Sequence, residues 1–173
     1  MAAFNRKVNN CSKVDWEVLI NGSISLYCDE NILKKDLDWL KNNQYKVIIL
    51  DFSEILSIEE FHVRIKKICK FPDYYGENMP ALSDCLVHDL EIPYDGGCAF
   101  VFKDFDSFYA KDKEMAHDIL ERLSEASRQR MLTGERLITL VQSGNPKFIP
   151  DSIGAYKISW NRHEFVESYR IEE

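Results

Sequence analysis

Three short apolar runs constrain this chain more than any other feature: "YKVIILDF", "GCAFVFKDF" and "RLITLVQS", each bounded by polar residues and rich in branched or aromatic side chains. Runs of this kind, with no apolar and polar alternation, suit strands covered on both faces. Helical patterns lie between them. Residues 57 to 70 place Ile58, Phe61, Ile65, Ile68 and Cys69 along one face, behind a Ser57 and Glu60 start in the S-x-x-E capping arrangement. Residues 111 to 132 do the same with Met115, Ile119, Leu123 and Ala126. A parallel strand pair needs a crossover, so this alternation predicts an α/β fold with a mainly parallel β-sheet of at least three central strands packed with helices.

The flanks carry weaker patterns. "DWEVLING" and "SISLYC" alternate around Asn21-Gly22, the strongest short hairpin signal, and "ENILKKDLDWLKNN" puts Leu33, Leu37 and Leu40 at helical spacing. Residues 1–44 are therefore expected to extend the sheet with an N-terminal β-hairpin and a helix. Beyond Pro146, "AYKISW" reads as an edge strand and residues 161–173 as a surface tail. The expected organisation is a single domain over 1–173 with its core at 45–143 and a C-terminal strand and tail at 146–173.

With 45% hydrophobic residues, the chain of 173 can bury one sizeable core. It has no apolar stretch of membrane-spanning length and no signal-like N-terminal run, so a cytoplasmic protein that does not enter membranes is expected. Its five cysteines (Cys11, Cys28, Cys69, Cys85 and Cys98) contain no C-x-x-C pair and read as reduced, small apolar residues rather than zinc ligands. A net charge of -7 and a pI near 5.2 argue against general nucleic-acid or anionic-membrane binding and suit a basic protein partner. Phosphate-cradling, dinucleotide and zinc-peptidase motifs are absent, and Asp89, Glu91 and Asp95 lack the calcium-loop spacing, so neither cofactor nor metal is expected. Cys85 and His88 form the one close nucleophile and base pair, but Cys85 falls on the apolar side of its helix, where a thiolate is costly. The chain is not read as an enzyme.

The stretch "FPDYYGENMPALSDCL", residues 71 to 86, is where chemistry concentrates. A helix from about Pro80 to Leu90 should begin behind Asn78 as cap, with Pro80 in its first turn. At 100° per residue, Ala81, Leu82, Cys85, Leu86 and Leu90 share one side and Pro80, Asp84, Val87 and His88 the other, which points Asp84 to solvent. One exposed carboxylate is ordinary. From Phe71 to Phe102, however, the acids Asp73, Glu77, Asp84, Asp89, Glu91 and Asp95 occur with no Lys or Arg, whereas the preceding helix carries Arg64, Lys66, Lys67 and Lys70. Of Tyr74 and Tyr75, one is expected to plug the core and the other to face out. Gly76 is expected to supply a positive φ.

Phe71-Pro72, Tyr74-Tyr75-Gly76, Asn78, Ala81-Leu82 and Asp84-Cys85-Leu86, preceded by a helix with Phe61-His62 and followed by strand, long helix and strand, resemble the signature of the barstar family of ribonuclease inhibitors over about residues 45–143. The resemblance implies that the loop and second helix enter the cationic active site of a ribonuclease or related toxin and block it. It implies an aromatic contact from Tyr74, a presenting turn at Gly76 and a helix carboxylate at Asp84. The candidate partner-binding set is Tyr74, Tyr75, Gly76, Glu77, Asn78, Pro80, Ser83, Asp84, Val87 and His88.

Two positions depart from the family. Pro80 stands where a second acid is common, and Ser83 where the best-known member has an aromatic. A further acid expected from the long helix falls on His117 or Asp118. The alternative reading is an adaptor or regulatory module of the same fold that no longer inhibits a ribonuclease.

Overall fold

A computed structural model describes residues 13–165. Its elements are α1 (Val14–Ile20), β1 (Ile24–Tyr27), α2 (Glu30–Asn42), β2 (Tyr45–Asp51), a 3-10 turn (Phe52–Glu54), α3 (Ile58–Cys69), α4 (Met79–His88), β3 (Gly97–Lys103), α5 (Phe105–Lys111), α6 (Lys113–Leu132), β4 (Leu137–Gln142), β5 (Ser159–Trp160) and α7 (Arg162–Phe165). Five strands form one sheet in the order β2-β3-β4-β1-β5, and all of its pairings are parallel.

β3 shows how the sheet divides the interior. Cys98, Phe100 and Phe102 face a cluster built with α3, α4, α5 and α6, while Ala99 and Val101 face a second cluster built with Val18 and Leu19 of α1 and Leu33 and Leu40 of α2. Burial on both faces is why this strand reads as an unbroken apolar run. At the C-terminal end of the sheet, Phe52 packs between Phe102, Phe105 and Phe108, with ring centroids 4.8, 4.9 and 5.0 Å away. Burying each such ring contributes roughly 2 kcal/mol.

The N-terminal hairpin does not form. Val14–Ile20 is helical, and Asn21-Gly22 closes that helix: Gly22 has φ +95°, and the Ser23 amide donates to the Val18 carbonyl at 2.9 Å. A left-handed residue after a helix serves the same steric need as a hairpin turn, so Asn-Gly is compatible with both. β1 pairs instead with β4 and β5, in parallel.

β2 also departs from expectation. It is an edge strand rather than one buried on both faces, and Ile49 is 44% exposed. The expected strand in "AYKISW" shrinks to Ser159–Trp160 at the opposite edge. The expected tail begins with a buried Asn161, whose amide donates to Asp36 Oδ2 (2.8 Å) and to the Tyr27 hydroxyl (3.0 Å). Residues 166–173 of that tail, like residues 1–12 with Cys11, lie outside the described part. Cys69, Cys85 and Cys98 are buried free thiols. Among the described residues, no helix is long and apolar enough to cross a membrane, and no group of acidic, Cys and His side chains is arranged to hold a metal ion.

Candidate functional site

The loop from Phe71 to Asn78 leaves α3 through Lys70, which is left-handed at φ +57°, and returns the chain to the surface at α4. It is held from below. Phe71 and Tyr75 are buried with ring centroids 5.2 Å apart, and the Tyr75 hydroxyl lies 2.5 Å from Nδ1 of His62 on α3. Burial disfavours the charged form of each: it lowers the His62 pKa and raises that of Tyr75.

Of the two tyrosines, Tyr75 therefore plugs the core at 3% exposure, and its side chain is not available to a partner in this conformation. Tyr74 faces out, 73% exposed, and its hydroxyl donates to Oδ1 of Asp89 at 2.6 Å. That bond stabilises the phenol over its anion and pushes the Tyr74 pKa up to about 12; the same bond holds the Asp89 carboxyl below its usual range.

Gly76 is exposed but does not carry a positive φ. The left-handed residue of the turn is its neighbour Glu77, at φ +51°. Glu77 is engaged by Lys66 of α3 at 3.3 Å, so the charge separation along the sequence is partly undone in space. Asn78 caps α4, its Oδ1 accepting from the Ala81 amide at 2.9 Å while its Nδ2 donates to the Gly76 carbonyl at 3.1 Å. These two bonds satisfy a helix-end amide and brace the turn.

The two faces of α4 follow the wheel. Leu82, Cys85 and Leu86 are buried, whereas Pro80, Asp84 and His88 are exposed and Ser83 and Val87 half-buried. Burial pushes the Cys85 thiol up to about 12, which removes its nucleophilic form at neutral pH.

Asp84 borders a groove of about 380 Å³ between α4 and α6, shared with Pro80, Ser83, Val87 and His88 from one helix and Arg122, Glu125, Ala126 and Gln129 from the other. The buried Ser83 Oγ has no hydrogen-bond partner. Arg122 bonds to Asp118 at 2.8 Å and lies 3.7 Å from Glu125, so its charge is compensated along its own helix. Among the described residues, no cation forms an ion pair with Asp84.

Glu125 of the long helix lines the groove with Asp84, whereas His117 and Asp118 do not. Glu125, Arg122 and Gln129 escape a sequence reading because the register of α6 against α4 is set by packing. Asp89 was identifiable as one of the six acids, but its link to Tyr74 joins residues 15 apart across a turn and leaves no periodic trace.

A family model described as Barstar (barnase inhibitor) matches residues 45–142, from the start of β2 to the end of β4 and more than half of the chain. A Bacillus subtilis (strain 168) protein named "Putative ribonuclease inhibitor YrdF" is 35% identical over 82 residues, which cover 47% of this chain and 86% of that protein.

Proposed function

The chain belongs to the barstar family, and on that premise we propose that it is an inhibitory binding protein of the immunity or antitoxin type, which occludes the active site of a basic ribonuclease or related toxin. The observation that carries the proposal is the pairing of an exposed aromatic, Tyr74, with an exposed helix carboxylate, Asp84, that has no ion-pair partner among the described residues. The family match and the ribonuclease-inhibitor name of the relative support the same reading.

Physically, a carboxylate fixed on a capped helix attracts a cationic cleft over a Debye length and then buries against it. A tyrosine beside it supplies contact area with little rotamer entropy to lose. The α4 and α6 groove, lined by the carboxylates Asp84 and Glu125, suits a protruding cationic side chain of the partner. Neither N-terminal α1 and α2 nor the described segment from Ile149 to Phe165 covers Tyr74 or Asp84, which remain exposed. The partner is a protein, and no nucleic acid, membrane or cofactor is needed for this mode of action.

Mixing the protein with cationic ribonucleases and following association by calorimetry tests the proposal. A one-to-one complex whose association slows as salt rises is expected, and the absence of a complex with every such enzyme overturns it. A second reading, an adaptor or regulatory module of barstar fold, is supported by Pro80 and Ser83, which line the groove where the family commonly carries an acid and its best-known member an aromatic. A complex with a protein that is not a nuclease, formed through Tyr74 and Asp84, is its distinguishing result.

A further inference from the structure

Asp89 stands at the C-terminal end of α4, five residues beyond Asp84, and receives Tyr74 from the far side of the loop. The exposed Tyr74 hydroxyl donates to its carboxylate at 2.6 Å, and the Asp89 backbone amide is fixed by its bond to the Cys85 carbonyl at 3.0 Å. An exposed tyrosine otherwise samples several rotamers, and fixing one of them on association costs binding free energy. We propose, on the basis of the ribonuclease-inhibitor reading above, that Asp89 is a positioning residue: it holds the Tyr74 ring against the end of α4, so that the aromatic contact and Asp84 reach a partner as one preformed unit.

The geometry distinguishes this role from a direct contact. Asp89 is half-buried, whereas Asp84 is exposed, and Oδ1 of Asp89 is engaged by Tyr74. The Tyr74 hydrogen bond, and after it the nearby His88 and Arg130, favour the carboxylate form, so the acceptor persists through the neutral range. The wheel that sorts α4 into faces assigns no such task to Asp89, which lies beyond the last helical residue.

The test has two independent arms. In the free protein, the Tyr74 ring carbons are followed by NMR through an alkaline titration in wild type, Asp89→Ala and Asp89→Asn. The Tyr74 phenol is expected to titrate near 12 in wild type and near the ordinary value of about 10 in Asp89→Ala, with a value between them in Asp89→Asn, which keeps the acceptor but not the charge. An identical midpoint in wild type and Asp89→Ala overturns the proposal, whatever the protein binds.

In the complex, Asp89→Ala and Tyr74→Phe are each expected to weaken association with a cationic ribonuclease by roughly fivefold, and the double variant by no more than either alone. An equal loss from Asp89→Ala in the Tyr74→Phe background shows that Asp89 acts directly on the partner and overturns the positioning role. A normal titration shift with no complex for wild type overturns the ribonuclease reading instead, so the two failures are told apart.

Discussion

Arg130 of α6 donates from Nε to the carbonyl of Leu86 at 3.0 Å, tying the long helix to the one that carries Asp84. The same guanidinium reaches the Leu90 carbonyl at 2.8 Å and Oε2 of Glu135 at 2.7 Å while itself remaining buried. Leu86 lies in the last turn of α4, where carbonyls have no helical donor, so Arg130 supplies partners that water cannot. Arg130→Met keeps much of the volume and removes all three bonds. It is expected to destabilise the fold by about 3 kcal/mol, through orphaned buried carbonyls as much as the lost charge pair. Urea unfolding with an unchanged m-value measures this, and a loss under about 0.5 kcal/mol contradicts the clamp.

Gly96 is required by close approach rather than by a turn conformation. A Cβ there would lie 2.0 Å from the carbonyl oxygen of Gln44 and 2.5 Å from its carbon, where β3 starts beside β2. Backbone cannot rotate away as a side chain can, so Gly96→Ala is expected to cost about 3 kcal/mol or more. Gly144→Ala is the control. Nothing lies within 4 Å of its added Cβ, and it should be nearly neutral in the same unfolding assay.

His62 should make stability depend on pH. Burial lowers its pKa in the folded protein, so between that value and the ordinary one of about 6.5 the unfolded chain binds the extra proton. Its contribution is therefore complete above about pH 6.5 and is lost as pH falls through the depressed value. Glu17 and Asp36 act oppositely, because burial raises their pKa values. The informative quantity is thus the difference between wild type and His62→Gln. Wild type should lose more stability than the variant from pH 7.5 to pH 5, measured by urea midpoints; parallel curves contradict this account.

Much of the architecture was legible because local pattern and global packing agree. The Ser57 side chain does accept from the Glu60 amide, and Leu33 and Leu40 do face the core. The failures occur where a distant partner decides. "SISLYC" follows a turn dipeptide, but its hydrogen-bonding strand lies more than a hundred residues on, at Thr139 to Gln142. "YKVIILDF" is as apolar as β3, yet sheet order leaves it at an edge, and no property of the run itself reveals that. α5 went unread because Phe105, Phe108 and Tyr109 sit in a helix of only seven residues, too short for periodicity to stand out.

The site divides in the same way. Helical spacing was enough to place Asp84 outside and Leu82, Cys85 and Leu86 inside, because α4 is regular and packs along one stripe. The loop before it was harder. Adjacent tyrosines carry no periodic signal, and it is the His62 and Tyr75 contact that sorts them. Gly76 looked like the strained residue of the turn, but Glu77 occupies the left-handed region, steadied by Lys66.

Inhibition of a cationic ribonuclease, titrated with wild type and with Asp84→Ala at fixed ionic strength, tests the central claim most directly. Wild type is expected to abolish activity at one equivalent, and Asp84→Ala to bind about 30-fold more weakly, or about 2 kcal/mol, with unchanged thermal stability because the side chain is exposed. Full nuclease activity at a large excess of wild type, or equal inhibition by both proteins, would contradict it.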